Sequence, residues 1–538
     1  MKARNSIAAS AALAALVAAP TPALGAPLHN APVAPHVALP GDAGAASARI
    51  DRDSWIVGAR AGGGAIARAH GGERIAGRAF LVPRGRARAL AGALRARGLL
   101  EYAEPNRVTE PAQAPPPDPL SGFARWRDFV VGDAVAPAVT PDSPLIGVVD
   151  TRIDESHPEI AGSGITAAPG GALNDAHGTA TSTVAAAPAN GVGFLGIWPG
   201  ARVLNLPLPD GSKILCSDSA GAIARAIRAG ADVINMSYAA ASSRCETEER
   251  QILSAVKAGA VPVAAAGNEF QDGNPLEFPA SLPHVITVAA VGPDDRPTGF
   301  SNESAAVDLS APGLGILTAV PAGFDTEDGN PDGYAFVDGT SFSSPMVAAA
   351  VAWVRAARPQ LTPYQAAQVV RVGARDVGRR GYEDATGFGV LNLPGAIGRR
   401  PPAEDPQEPN DDIRYVNGRA FRGATSALFR GRPARVAATA DYAEDPVDVY
   451  RLKLRPGRRV RLELNPSVGD PDLFVFGPKA RSVRSSRSLA SSSRGGGSIE
   501  RLTIRNRGRR TRTFYATVGF NASKDIELYN TSYELRAR

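Results

Sequence analysis

Residues 336–359 read FVDGTSFSSPMVAAAVAWVRAARP. From Met346 the run is apolar until Pro359, and Ala348, Val351, Ala352 and Arg355 keep helical spacing, which predicts a buried helix. The approach to that helix is odd for a core element: glycine, threonine, three serines and a proline. Pro345 is read as lying in the first turns, where no intrahelical bond is due and a missing N–H costs nothing. The polar residues then stand at a helix N-terminus, where backbone donors are unpaired and the dipole favours negative charge. Either Thr340, Ser341 or Ser343 caps the helix, or a serine is a nucleophile placed where an oxyanion meets waiting N–H groups. A serine nucleophile needs a base, so the choice is made elsewhere in the chain.

Outward from this helix, residues 120–400 alternate short apolar runs with helical stretches. LIGVVD, ARVLNLPL, ADVINMSY, AVPVAAAGN and HVITVAAV read as strands covered on both faces. GTATSTVAAA, SAGAIARAIRAG and EERQILSAVKAG read as the helices between them. The alternation predicts an α/β fold with a doubly wound, mostly parallel sheet. Such sheets carry functional groups at the carboxyl ends of their strands. There the sequence puts Asp150 and Asn268, while His177 and Ser341 each open a helix. Taken singly, each has a plain explanation as a cap or turn residue. The segment holds three histidines, His157, His177 and His284. His177 is the best placed to serve as base, because His157 sits within ESHPEI and His284 in a loop before a strand.

The flanking strings decide between these readings. VVDTRIDESHPEI, AHGTATSTVAA, NMS, AAAGNE, FPASLPHVITVAAV, FSNESAAVDLSAPG and GTSFSSPMVAAA resemble, in order, the signatures of subtilisin-like serine proteases. The resemblance covers residues 120–400. It implies a serine endopeptidase whose triad is Asp150, His177 and Ser341, with Asn268 in the oxyanion hole. It implies a substrate-pairing strand at Ser237, Tyr238 and Ala239, protein or peptide substrates, and no cofactor for the chemistry. The chain departs from the pattern in two places. Thr151 and Arg152 follow Asp150 where a small residue and glycine are usual, and Ala239 and Ala240 replace the two glycines of the pairing strand. Specificity is therefore not carried over from relatives. An α/β-hydrolase esterase is excluded, since it needs G-x-S-x-G and a histidine after the serine, and no histidine follows Ser341. The alternative from another class is a catalytically silent protein-binding module on the same fold.

Two flanking segments carry shorter resemblances. Residues 49–110, most clearly LEYAEPNRV, resemble the inhibitory propeptide of these proteases and read as a small α/β unit. This implies an autoinhibited zymogen that cleaves itself near residues 110–120. Residues 404–538 read as an all-β sandwich and resemble the bacterial pre-peptidase C-terminal domain in EPNDD, DPVDVYRL, DPDLFVFGP and TFYATVGF. Asp411, Asp448, Asp470 and Asp472 there are candidate oxygen ligands for a structural calcium, or equally turn-forming acids. RSSRSLASSSRGGGS reads as a long flexible loop within the sandwich.

Composition frames the whole. The chain has 538 residues, enough for several domains. The expected division is an export signal over 1–26, a propeptide over 27–118, a catalytic domain over 119–400 and the C-terminal domain over 404–538. The signal reading rests on Lys2 and Arg4, an apolar stretch from Ile7 to Ala19, and ALGA. It implies a protein secreted to the medium or periplasm. The apolar run is too short to span a membrane. Two cysteines, Cys216 and Cys245, can form one disulfide in an exported protein or remain separate buried thiols. Residues 116–400 hold 19 Lys and Arg against 30 Asp and Glu, a net of −11, whereas residues 401–538 hold 26 against 16, a net of +10. Opposite signs suggest different partners, or a tail that leans on the body. With no nucleic-acid module in the basic part, nucleic acid is not expected as a partner; a monomer is.

Overall fold

A computed structural model describes residues 50–107, 118–209, 214–326, 331–402, 407–441, 445–519 and 530–538. The expected export signal and residues 108–117, where most of the expected processing stretch falls, lie outside the described residues. The chain divides into two compact units, Met1–Ala114 and Pro115–Arg538.

The first unit contains β1 (Ile50–Ala59), α1 (Gly64–Ala69), β2 (Glu73–Ala76), β3 (Ala79–Pro83), α2 (Arg84–Arg95) and β4 (Leu100–Arg107). Its strands form an antiparallel sheet of order β2-β3-β1-β4. Trp55, Val57 and Ala59 alternate onto one face of β1, as the two-residue period of a strand dictates. They pack with Phe80 and Val82 against Ala87, Leu90, Ala91 and Leu94 of α2.

The second unit begins with α3 (Arg125–Val131), β5 (Leu145–Asp150), β6 (Ile165–Ala167), α4 (His177–Ala186), β7 (Arg202–Pro207) and α5 (Cys216–Arg228). There follow β8 (Val233–Met236), β9 (Ala240–Ala241), α6 (Glu246–Lys257), β10 (Val261–Ala265), β11 (Glu277–Phe278) and β12 (Ile286–Val291). The body ends with β13 (Leu309–Pro312), β14 (Ile316–Ala319), β15 (Tyr334–Val337), α7 (Thr340–Ala357), α8 (Pro363–Val372) and α9 (Leu393–Gly398). Seven strands form one parallel sheet of order β13-β12-β10-β8-β5-β7-β6. Alternate residues feed two separate cores. Ile146, Val148, Val233 and Val263 pack with α4 and α7, whereas Val149, Ile234, Met236 and Ala264 pack with α5 and α6. Burial on both faces explains why the strands read as unbroken apolar runs. From β5 the chain fills one side of the sheet through β6 and β7, then crosses to β8 on the other side. The carboxyl end of β5, where Asp150 stands, is thus the switch point of the sheet. A disulfide joins Cys216, the first residue of α5, to Cys245, the N-cap of α6, with Cα atoms 6.4 Å apart.

Helix α7 is buried on all sides from Phe342 to Val354. One expectation about it is corrected. Pro345 is the sixth residue of the helix, not part of its unpaired first turn. Its N–H would have bonded the carbonyl of Ser341, four residues back. The Ser237 hydroxyl donates to that carbonyl instead, at 2.8 Å. The other two serines are also bound. Ser344 donates to Asn235 Oδ1 at 2.7 Å, and Ser343 donates to the carbonyls of Ala311 and Pro312.

The remaining elements are α10 (Ile413–Val416), β16 (Ala427–Phe429), β17 (Ala434–Asp441), β18 (Val447–Leu454), β19 (Arg459–Val468), β20 (Asp472–Phe476), β21 (Ala490–Ser492), β22 (Glu500–Arg505), β23 (Arg512–Gly519) and β24 (Asn530–Ala537). They form two sheets, β16-β18-β23-β20-β21 and β17-β24-β19-β22, closed over one apolar core. The stretch read as a flexible loop is held in place: β21 pairs with the edge of β20, and the Leu489 N–H donates to the Val475 carbonyl at 2.7 Å. The sandwich is docked on the body through buried polar contacts. Arg371 of α8 reaches Asp308 and Asp441, both at 2.6 Å, and Tyr415 donates to Glu249 at 2.8 Å. Basic Arg414 of the sandwich meets Glu246 of the acidic body at 3.1 Å, the sense the charge division suggested. Among the described residues no helix is long and apolar enough to cross a membrane.

Candidate active site

Strand β5 delivers Asp150 to the rim of the sheet, 3% exposed. Its Oδ1 accepts from His177 Nδ1 and from the Thr151 backbone N–H, both at 2.7 Å, and its Oδ2 accepts from the Thr181 hydroxyl at 2.9 Å. With three donors converging on it, the carboxylate is fixed in position. His177 is the first residue of α4, and its N–H bonds Asp175 Oδ1 at 2.8 Å. The same oxygen accepts from the Thr151 hydroxyl, which in turn accepts from Gly178 N–H. Backbone and ring of His177 are therefore both anchored. Burial alone would lower the His177 pKa; the charge and hydrogen bond of Asp150, with the charge of Asp175 behind them, reverse this and raise it.

Ser341 stands in the first turn of α7, and its hydroxyl donates to the carbonyl of Ser237 at 3.3 Å. The ring of Phe342, the next residue, lies 5.7 Å from the imidazole of His177. No hydrogen bond joins His177 to Ser341, as is common in a site without substrate. Strand β10 leads to Asn268. Its Oδ1 accepts from the Thr340 N–H at 2.9 Å and hydroxyl at 3.0 Å, which turns its amide N–H groups away from Thr340. That amide nitrogen lies next to Gly339, whose φ of +146° suits glycine. The neighbouring N–H groups of Thr340 and Phe342 are engaged, while the Ser341 N–H makes no bond among the described residues. Two donors at the start of α7, the Asn268 amide beside Gly339 and the Ser341 N–H, thus have no partner among the described residues.

The other site expectations fall out unevenly. Ser237 is buried, and its hydroxyl donates to the backbone carbonyl of Ser341. The Tyr238 hydroxyl donates to Glu248 at 3.0 Å, so its side chain faces the α6 side, while Ala239 and Ala240 stay exposed along the strand. Arg152 donates to the Gly170 carbonyl at 2.8 Å and pairs with Glu155. His157 is taken up by Gly333. Sequence reasoning passed over Asp175 and Thr181 and gave Thr151 and Thr340 no such part, yet these four bond Asp150, His177 and Asn268. Asp175, two residues before a predicted helix start, was the one with a readable cue.

The four aspartates considered for calcium are not brought together. Asp448 pairs with Val518 and Asp472 with Gly519 across β23, so they point to opposite faces of one sheet. Asp448 bonds Asn410 and Tyr533, and Asp470 caps the backbone of Gly496 and Gly497. Only Asp411 joins a multi-residue cluster, with His284 of the body and with Glu408 and Asp445; their ligand atoms lie within 4.8 Å of one another. His284 Nε2 is 2.9 Å from Asp411 Oδ2, while the buried Oδ1 of Asp411 has no hydrogen-bond partner among the described residues. Three carboxylates suit a hard cation, but an imidazole is not among calcium's usual oxygen ligands.

Comparison with known proteins agrees with this geometry. The Subtilase family (Peptidase_S8) matches residues 142–389. The chain is 34% identical over 288 residues to a thermophilic serine proteinase of Bacillus sp. (strain AK1), covering 51% of this chain and 68% of that protein. It is 30% identical over 266 residues to subtilisin of Bacillus pumilus, covering 47% of this chain and 90% of that one. Against fervidolysin of Fervidobacterium pennivorans the identity is 29% over 283 residues, and the match spans only 40% of that longer protein. The chain belongs to the subtilase family, and by that membership it is a serine endopeptidase.

Proposed function

We propose that Ser341 is the nucleophile, His177 the general base and then acid, and Asp150 the group that orients the imidazole. The observation that carries this reading is the 2.7 Å bond from His177 Nδ1 to a buried Asp150, on the rim that also holds Ser341 and Asn268. With Nδ1–H committed to Asp150, Nε2 is left unprotonated to take the Ser341 proton. The Ser341 Oγ then bonds to the substrate carbonyl carbon. Negative charge moves to the carbonyl oxygen, where the Asn268 amide and the Ser341 N–H donate to it. The imidazolium gives its proton to the leaving amine as the C–N bond breaks. Water enters by the same steps in reverse roles and frees Ser341.

Residues 50–107 act in this proposal as the inhibitory propeptide, and the precursor is exported as a zymogen that matures by its own cleavage near 110–120. No step of the chemistry calls for a metal. The calcium reading passes to the carboxylates of Glu408, Asp411 and Asp445, which would supply the oxygen ligands, while His284 of the body bonds Asp411 and not the ion. Titrating calcium into chelator-treated protein tests that role; an unchanged Tm removes it. The main proposal is tested with Ser341→Ala. The variant keeps residues 50–107 attached and leaves casein intact, whereas wild type sheds them and digests casein. Normal maturation of the variant in the absence of other proteases would overturn self-processing.

A further inference from the structure

Three segments meet beside Asn268. The exposed strand β9 pairs antiparallel with β11, with Ala241 opposite Glu277. The third segment is Gly267–Glu269, at the end of β10. Gly267 has φ +107°, and a Cβ on it would lie 2.6 Å from Glu277 Cγ and 2.9 Å from Glu269 Oε2. Two acidic side chains therefore flank the residue that precedes Asn268. Oε2 of Glu269 is tied to this segment, accepting the Asn268 N–H at 2.7 Å. Glu277 has no such tie. It is 2% exposed, and among the described residues no N–H or hydroxyl donor reaches either of its carboxyl oxygens; its neighbour is the carboxyl of Glu269. Burial, then the charge of Glu269, push its pKa up to about 7. A buried carboxylate with no donor and no positive charge beside it is costly, and a second acid against it adds to the cost. A cation between them removes both penalties.

The place of this pair relative to the chemistry identifies the cation. A scissile carbonyl attacked by Ser341 and held by Asn268 has, on its acyl side, a side chain that must lie close to the Asn268 segment and the strand after Ser237. We propose that Glu277 and Glu269 form the pocket for that side chain, so that this endopeptidase cleaves after lysine and arginine. This rests on the assignment of Ser341 and Asn268 above. The ammonium or guanidinium sits between the two carboxylates, and the exposed Ala240 and Ala241 leave room for its stem. An apolar side chain in the same place would leave both acids unpaired, which is the basis of discrimination.

The test uses matured wild-type protein and two peptide substrates that differ only in the residue before the cleaved bond, arginine or leucine. The arginine substrate is expected to have the higher kcat/KM by about 100-fold. Glu277→Gln should cut that ratio by about ten-fold or more through the arginine substrate. As a readout independent of the variant's folding, wild-type digests of denatured casein analysed by mass spectrometry should end in lysine or arginine. A wild type that prefers leucine, or casein products without basic C-termini, overturns the pocket while leaving the Ser341 reading intact. Failure to cleave any substrate, with no labelling of Ser341 by a fluorophosphonate, strikes the Ser341 reading and the pocket with it.

Discussion

Replacing Ser237 by alanine tests how the helix that carries Ser341 is secured. Pro345 denies the Ser341 carbonyl its helical partner, and the Ser237 hydroxyl, 2.8 Å away, supplies one. The same hydroxyl accepts from Asn235 Nδ2 at 2.9 Å. Ser237→Ala therefore strands one acceptor and one buried donor. A lost partner of this kind costs about 1–3 kcal/mol. For a body of this size each kcal/mol corresponds to roughly 2 °C in Tm, so a fall of about 2–6 °C is expected. Pro345→Ala should restore most of it, because the new N–H can bond the Ser341 carbonyl within the helix. Alone, Pro345→Ala should cost under about 1 kcal/mol, chiefly through the freer unfolded chain. The assay is scanning calorimetry on all four members of the cycle in a Ser341→Ala background, which prevents self-digestion and keeps the backbone carbonyl. The expected coupling is about 1 kcal/mol or more in favour of the double variant. Additive losses, within the roughly 0.3–0.5 kcal/mol seen for independent sites, would refute the reasoning.

Other expectations concern the catalytic groups and the disulfide. Asp150→Asn should lower kcat by about 10⁴, since an amide has one acceptor oxygen for the three donors that Asp150 now receives; a loss under ten-fold would contradict its role. Asn268→Ala should lower kcat by about 10²–10³ with little change in KM. Activity should fall as pH drops through the raised pKa of His177, because an imidazolium cannot accept the serine proton. Residual activity of Asp150→Asn should persist to lower pH, as the charge that raises that pKa is gone; an unmoved acid limb in the pH–rate profile would count against this. Changing both Cys216 and Cys245 to serine should cost at most about 3–4 kcal/mol by loop entropy, read from denaturant unfolding.

The body's architecture and the candidate site residues were legible because each leaves a local mark. Strands buried on both faces are continuous apolar runs, and Asp150, His177, Asn268 and Ser341 each sit where such a run or a helix begins or ends. What holds them was not legible. The bond from Ser237 to Ser341 joins residues 104 apart, and Pro345 looked harmless until its place in α7 was known. The aspartates of the C-terminal domain looked like one ligand set because sequence proximity hides side-chain parity. A one-residue offset across β23 sends Asp448 into the sandwich core and Asp472 to the other face. Glu277 carries no mark at all in the sequence; the fold brings it beside Glu269 by packing both side chains against Gly267.

The central claim is that an imidazole steadied by Asp150 activates the Ser341 hydroxyl. A fluorophosphonate probe followed by peptide mapping measures this directly. The matured protein should carry one adduct, on Ser341, and labelling should slow by orders of magnitude in His177→Ala. An adduct on another residue, or a His177→Ala variant that labels at the wild-type rate, would contradict the account.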